Sequence, residues 1–402
     1  MRIADTLQLR GVVVVAALAT GLVARAPAPP LAREMAVEVM PRNSFELALT
    51  LELALDRWSE HVVTGEPVVV VLSPASLGLL RGIQYRILVD DLEAAAARER
   101  DRLATRAQAS WFTEYRDLAE IEARMDLLAT RDPELVTVTQ IGTSVEGRPI
   151  RALAISRGGT RGIALDGGQH AREWISVMVP ICIADRLVER AAEPRIRKLL
   201  EAVRFHLVPV VNPDGYAYTW THDRYWRKNR RGGFGVDLNR NYSVAWGKAG
   251  SSADRSSPNY RGERAFSEPE TRAMAALFER EAIVAHVDFH SFSQLVLYPW
   301  SHQRTPPKDR DRFAALASGM SSALSAAHGE SYKVRAGSEL TVGSSGTLGD
   351  WAYGVRDALS FLIELRPTPG NAGFVLPPEQ IVPTCDESLA AVLNLADAVA
   401  TY

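Results

Sequence analysis

The chain has 402 residues, of which 47% are hydrophobic, 23% charged and 7% aromatic, with a net charge of −2. This composition excludes collagen-like, largely disordered and polytopic membrane chains, and the near-neutral balance argues against nucleic acid as a partner. Two cysteines, Cys182 and Cys385, can build neither a disulfide scaffold nor a four-thiolate zinc site, so a metal would rest on carboxylates and the eight histidines.

Residues 1–26 read as a secretory signal, which places the protein outside the cell or in a periplasm. Arg2 and Arg10 precede the apolar run Gly11–Val23, and Ala24-Arg25-Ala26 is a small-x-small cleavage site. Pro27 directly after it disfavours cleavage at that bond, and an uncleaved anchor is the competing reading. After the Pro-rich joint Pro27–Arg33, strands are predicted at Ala36–Met40, Pro67–Leu72 and Gln84–Val89, and helices at Ser76–Arg81 and Asp90–Ala104. Ser44–Trp58 is ambiguous: leucines recur at every second residue from Leu47 to Leu55, yet the Ala/Leu/Glu content favours helix. Together these make a small α+β unit ending in an arginine-rich stretch, Arg98, Arg100, Arg102 and Arg106. That stretch is either a solvated helix face or a protease-sensitive linker.

From Trp111 the pattern becomes long αβ alternation. Strands are predicted at Val136–Ile141, Ile150–Ile155, Ile163–Asp166, Phe205–Val211, Ile283–Phe289 and Ser360–Leu365, with helices such as Ile175–Ala191 and Glu268–Glu281. An α/β domain with a largely parallel or mixed sheet follows, and its active site is expected at the carboxyl ends of the strands. There the sequence delivers His170 and Glu173 after Gly167-Gly168, His290 after Ile283–Phe289, and Glu364 on the last strand. Two His and a carboxylate are the ligand logic of catalytic zinc, which leaves one position for water. The competing pair His286 and His290 would be ~13 Å apart on a strand, so His286 reads as a core histidine. His206 reads the same way, and His61, His222, His302 and His328 read as surface or loop residues. The basic, aromatic run Arg224–Arg231 resembles a nucleic-acid reader, but one local run in a near-neutral chain supports that poorly, and a solvated turn is the competing reading. Several arginines beside a metal suit an anionic substrate end and a developing oxyanion.

The segments GGQHAREW, NPDGYAYTWTHDRYWRKNR, GVDLNRNY, GKAG, FHSFSQLVLYPW and SFLIELR, in this order, resemble the zinc metallocarboxypeptidases of the pancreatic carboxypeptidase A/B type. The resemblance implies an α/β fold around a mixed, mainly parallel eight-stranded sheet, preceded by a small ferredoxin-like α+β pro-segment. It divides the chain into a signal peptide (1–26), an inhibitory pro-segment with its connecting helix (27–106) and a catalytic domain (107–402). It implies one zinc ion on His170, Glu173 and His290, Glu364 as general base, Arg227 for the oxyanion, and Asn239 and Arg240 for the substrate's terminal carboxylate. Arg172 would line the substrate path, and Asp237 would orient His170. The expected activity is removal of C-terminal residues from peptides by a secreted monomer, made as a zymogen and released by an activating protease.

Two features depart from the family. Val342 stands where a mobile tyrosine is usual, and no cysteine occurs near Gly232–Gly235 or Ser251–Pro258, where vertebrate members form a disulfide. Cys182, in an apolar helix, is expected to be a buried free thiol, although pairing with Cys385 cannot be read from sequence. Thr347, Leu348 and Gly349 precede Asp350, with Leu362 nearby, so an apolar or neutral specificity pocket is expected. A cell-wall peptide hydrolase and a catalytically silent binding module are the alternative readings. No G-x-S-x-G elbow supports a serine hydrolase.

Overall fold

A computed structural model describes residues 33–60, 62–105, 110–339, 343–369, 371 and 373–401. The signal reading on residues 1–26, His61, Arg106 and Val342 therefore lie outside the described residues. Arg33–Tyr402 forms one compact unit.

Near the N-terminus, β1 (Met35–Met40), β2 (Asp56–Arg57), β3 (Val68–Leu72) and β4 (Gln84–Val89) make an antiparallel sheet in the order β2-β3-β1-β4. With the intervening helices this is the βαββαβ order of a ferredoxin-like unit. The ambiguous segment divides in two. Ser44–Leu53 is helical, started by Asn43, whose side chain accepts from the Glu46 amide at 2.9 Å, and Asp56–Arg57 then returns as the edge strand. The predicted helix Ser76–Arg81 shortens to the single turn Pro74–Leu77. The last helix of the unit, Leu92–Ala104, starts on Asp91, which accepts from the Ala94 amide.

The large sheet contains β5 (Val136–Thr143), β6 (Pro149–Ile155), β7 (Arg161–Asp166), β8 (Val203–Val208), β9 (Ile283–Ser291), β10 (Leu295–Tyr298), β11 (Lys333–Ala336) and β12 (Leu359–Leu365). Its order is β11-β10-β12-β9-β7-β8-β6-β5. The central pairs β12–β9, β9–β7 and β7–β8 are parallel, β10–β11 is also parallel, and the remaining pairs are antiparallel. The sheet is thus mixed and mainly parallel, as expected. Burial on both faces explains why β7, β9 and β12 read as nearly continuous apolar runs. Helices Trp174–Glu189 and Ile381–Ala400 are buried along most of their length and pack in the main core.

The cysteine expectation is corrected. Cys182 is not a free thiol: it forms a disulfide with Cys385, tying those two helices together across 203 residues of sequence. Both residues are fully buried.

Candidate metal centre

The site is built at the carboxyl ends of β7, β9 and β12. β7 runs into Gly167 and Gly168. A Cβ on Gly167 would lie 1.9 Å from the Ser176 carbonyl oxygen, and Gly168 has φ +64°, so this turn requires glycine at both positions. The turn brings His170 back over the sheet and sets Glu173 at the start of helix Trp174–Glu189. Asn212 fixes the loop from outside, donating to the carbonyls of Gln169 at 3.2 Å and Lys228 at 3.0 Å. The Ala171 amide donates to the Arg227 carbonyl at 2.9 Å, which couples the His170 loop to the Arg227 loop. The parallel register of β9 and β12 sets His290 beside Glu364.

Three donors converge. His170 Nδ1 lies 2.9 Å from Glu173 Oε1, His290 Nδ1 lies 3.1 Å from Glu173 Oε2, and the two Nδ1 atoms are 3.0 Å apart. Ligands around a tetrahedral zinc with bonds of about 2.0–2.1 Å sit roughly 3.3 Å apart, so this donor set fits one such ion. Glu60, from the N-terminal unit, joins the group: one ligand atom each from Glu60, His170, Glu173 and His290 all lie within 4.8 Å of one another. All four residues are buried.

The electrostatics are those of a cation site. Burial alone would raise the Glu173 carboxyl, but the facing His170 and His290 rings bring it down to about 2. Burial opposes charge on His290, yet Asp288 and Glu173 hold its ring well above the ordinary histidine range. The other ring nitrogens are also held. His170 Nε2 is 3.2 Å from Asp237 Oδ1. His290 Nε2 is 3.0 Å from Asp288 Oδ1, an ion-pair approach without hydrogen-bond alignment, and 3.3 Å from Asn239 Nδ2. Carboxylates behind metal-binding histidines fix tautomer and ring orientation.

Of the other site residues read from sequence, Arg227, Arg240, Asn239 and Asp237 contact this cluster. Arg227 donates to Asp237 at 2.9 Å, and its guanidinium lies 3.8 Å from Glu173. Arg240 is fully buried and donates to the carbonyls of Gly250 and Asn239 at 2.9 and 2.8 Å. Asn239 accepts from the Leu348 amide at 2.9 Å. Arg172 pairs with Asp56, donates to the Arg57 carbonyl at 3.1 Å and lies over the Phe374 ring. Glu364 is fully buried.

A cavity beside Asn239 and Arg240 is lined by Leu297, Ser301, Thr347, Gly349, Asp350 and Leu362. Asp350 is occupied: it accepts from the Ser301 amide at 2.9 Å and the His302 amide at 3.2 Å, and His302 Nδ1 is 2.6 Å away. His302 lies in the loop after β10, within the surface-or-loop expectation, and is half-buried as a partner of Asp350. His286 is a core histidine, as expected, held by Asp166 at 2.5 Å and Ser360 at 2.8 Å. Sequence reasoning passed over Glu60, Asp288 and Asn212. The NPDG motif was visible around Asn212, but nothing local marked the other two.

The zinc carboxypeptidase family model matches residues 121–391. The chain belongs to the zinc carboxypeptidase family. Carboxypeptidase A2 of Rattus norvegicus is 32% identical over 391 residues, covering 91% of this chain and 94% of its own. Carboxypeptidase B of Astacus astacus is 40% identical over 299 residues, which is 72% of this chain and 98% of that one. The crystal structure of thrombin activatable fibrinolysis inhibitor superposes with a TM-score of 0.82 at 31% identity, covering 92% of this chain and 99% of that chain. The protein is accordingly a zinc metallocarboxypeptidase, a hydrolase of peptide bonds, with the carboxypeptidase fold and a His-Glu-His site for one ion.

Proposed function

We propose that the chain is the precursor of a secreted, monomeric zinc carboxypeptidase. Residues 1–26 direct export, residues 27–106 form a removable inhibitory segment, and residues 107–402 form the enzyme. The observation that carries this reading is the cluster His170, Glu173 and His290, walled by Arg227 and Arg240, whose accessible face is covered by Glu60 and Asp56 of the N-terminal unit. Support for the division comes from the relatives: the crayfish enzyme matches 72% of this chain over nearly its full length, whereas the rat enzyme matches 91%. Among the described residues no helix is long and apolar enough to cross a membrane, and the disulfide suits an oxidising compartment.

In this reading His170, Glu173 and His290 hold the zinc. Bound zinc supplies a Lewis acid and lowers the pKa of water toward ~7. Glu364 takes the proton of the attacking water and passes it to the leaving amine. Arg227 donates to the oxygen that gains charge at the scissile carbonyl. Arg240 and Asn239 hold the substrate's terminal carboxylate, so only the last bond meets the reacting groups. Arg172 binds the chain further along the groove, and Asp237 keeps His170 in its ligating tautomer. Leu297, Leu362 and Gly349 line the pocket, and Asp350 is spent on Ser301 and His302, so apolar and aromatic C-terminal residues are preferred. A panel of peptides differing only in the last residue tests this, and preferred release of Lys or Arg contradicts it. An activating protease cuts among Arg98–Arg106, where Arg98 and Arg100 are exposed.

A further inference from the structure

Glu60 is a buried acid in a segment with no local reason to bury one. Its neighbours hold it there. The Trp58 and Ser59 amides both donate to the Val69 carbonyl, and Ser59 Oγ accepts from the Val69 amide at 2.9 Å. The Trp58 side chain, 2% exposed, packs against Tyr225 and Phe374 with ring centroids 5.2 and 5.0 Å away. Asp56 and the Arg57 carbonyl take Arg172. The segment Asp56–Glu60 is therefore clamped at both ends before Glu60 reaches the site.

At the site Glu60 does two things at once. Oε1 accepts from Arg240 Nη2 at 2.9 Å and from Arg227 Nη2 at 3.2 Å, and Oε2 accepts from Arg227 Nη1 at 3.0 Å. Oε2 also lies 3.5 Å from His170 Nδ1, within the donor group of His170, Glu173 and His290. Arginine pairing alone would satisfy a buried carboxylate. It would not require an oxygen among the candidate metal donors, and a three-ligand zinc site keeps a fourth position that such an oxygen could fill.

We propose that Glu60 is a built-in product mimic and metal cap. In the uncleaved chain its carboxylate supplies the fourth ligand to the bound metal while occupying Arg227 and Arg240, the groups a peptide's terminal carboxylate and developing oxyanion need. This rests on the zymogen reading and adds the atom that enforces it. Because backbone bonds to β3 and the packing of Trp58 fix Glu60, freeing the site would require the whole segment to leave.

The test uses the full chain loaded with cobalt, whose visible spectrum reports its ligands. The spectrum of the uncleaved wild type is expected to differ from that after limited trypsin, and uncleaved Glu60→Gln is expected to differ from uncleaved wild type. Metal loss to a chelator is expected about tenfold or more faster in uncleaved Glu60→Gln. Glu60→Asp, too short to reach the metal but still charged, should follow the Gln variant in spectrum. Superimposed spectra and equal chelator rates for uncleaved wild type and Glu60→Gln overturn the proposal. If the variants do not fold, an unchanged wild-type spectrum across cleavage overturns it by itself. Peptide turnover of the wild type before and after trypsin tests the zymogen reading separately: equal turnover sinks that reading whatever the spectra show.

Discussion

In the proposed mechanism, individual side chains divide into those that hold the metal and those that move protons or charge. Glu364 sits beside His290 in the β9–β12 register and has no part in the metal donor group. Glu364→Gln should therefore keep its zinc, as read by metal analysis, and lose roughly 10²–10⁴-fold in kcat. Near wild-type hydrolysis would remove Glu364 from the mechanism. Asp237 serves both His170 and Arg227, so Asp237→Asn should weaken zinc affinity or activity by about 10–100-fold, measured by competition with a chelator. Away from the site, burial pushes His206 down to about 4, with Glu281 opposing and Arg204 assisting. The unfolded chain, with a histidine near 6.5, binds the proton first, so this residue makes stability fall as pH drops from about 6.5 to about 4. Denaturant titrations at pH 7 and pH 4.5 should show a smaller loss for His206→Gln than for wild type. An equal loss would mean that His206 does not couple stability to pH.

Secondary-structure elements set how much could be read in advance. β7, β9 and β12 were legible because parallel strands buried on both faces are largely apolar, and their carboxyl ends pointed to His170, His290 and Glu364. β10 and β11 were not anticipated. Each has four residues, and β11 is a charged edge strand, so neither shows a period long enough to recognise. The alternating leucines of residues 47–55 suggested a strand, but the Asn43 cap and helix-favouring residues decided for helix through Leu53. Glu60 and the Cys182–Cys385 bond were illegible for a shared reason: each depends on segments more than a hundred residues apart meeting in the folded chain. The disulfide closes a loop of 203 residues, and chain entropy assigns it roughly 5 kcal/mol. The double variant Cys182→Ala, Cys385→Ala should lose about 2–5 kcal/mol by guanidinium titration while keeping zinc. An unchanged midpoint would show that core packing between the two helices suffices without the bond.

Over the whole molecule, a modest N-terminal unit is docked beside the larger sheet through polar pins and an aromatic anchor. Glu99 pairs with Arg224 at 2.5 Å, Arg102 with Glu114 at 2.5 Å, and Trp58 is buried among Tyr225, Phe374 and Phe292. Arg224 in turn stacks over Trp174 and donates to the Arg172 carbonyl, so the pins reach the loop that carries His170 and Glu173. Such an arrangement is firm while the chain is continuous. In the proposed zymogen, a cut among Arg98–Arg106 would make this docking bimolecular and remove that advantage. In the same proposed zymogen this docked unit silences the carboxypeptidase. The most direct test of that silencing is zinc content together with C-terminal amino-acid release from a peptide panel, measured on the purified full chain before and after limited trypsin. One zinc per chain in both states, with release of single apolar C-terminal residues appearing only after cleavage, is the predicted result. Equal release before cleavage, or none from the cleaved and zinc-loaded chain, would contradict it.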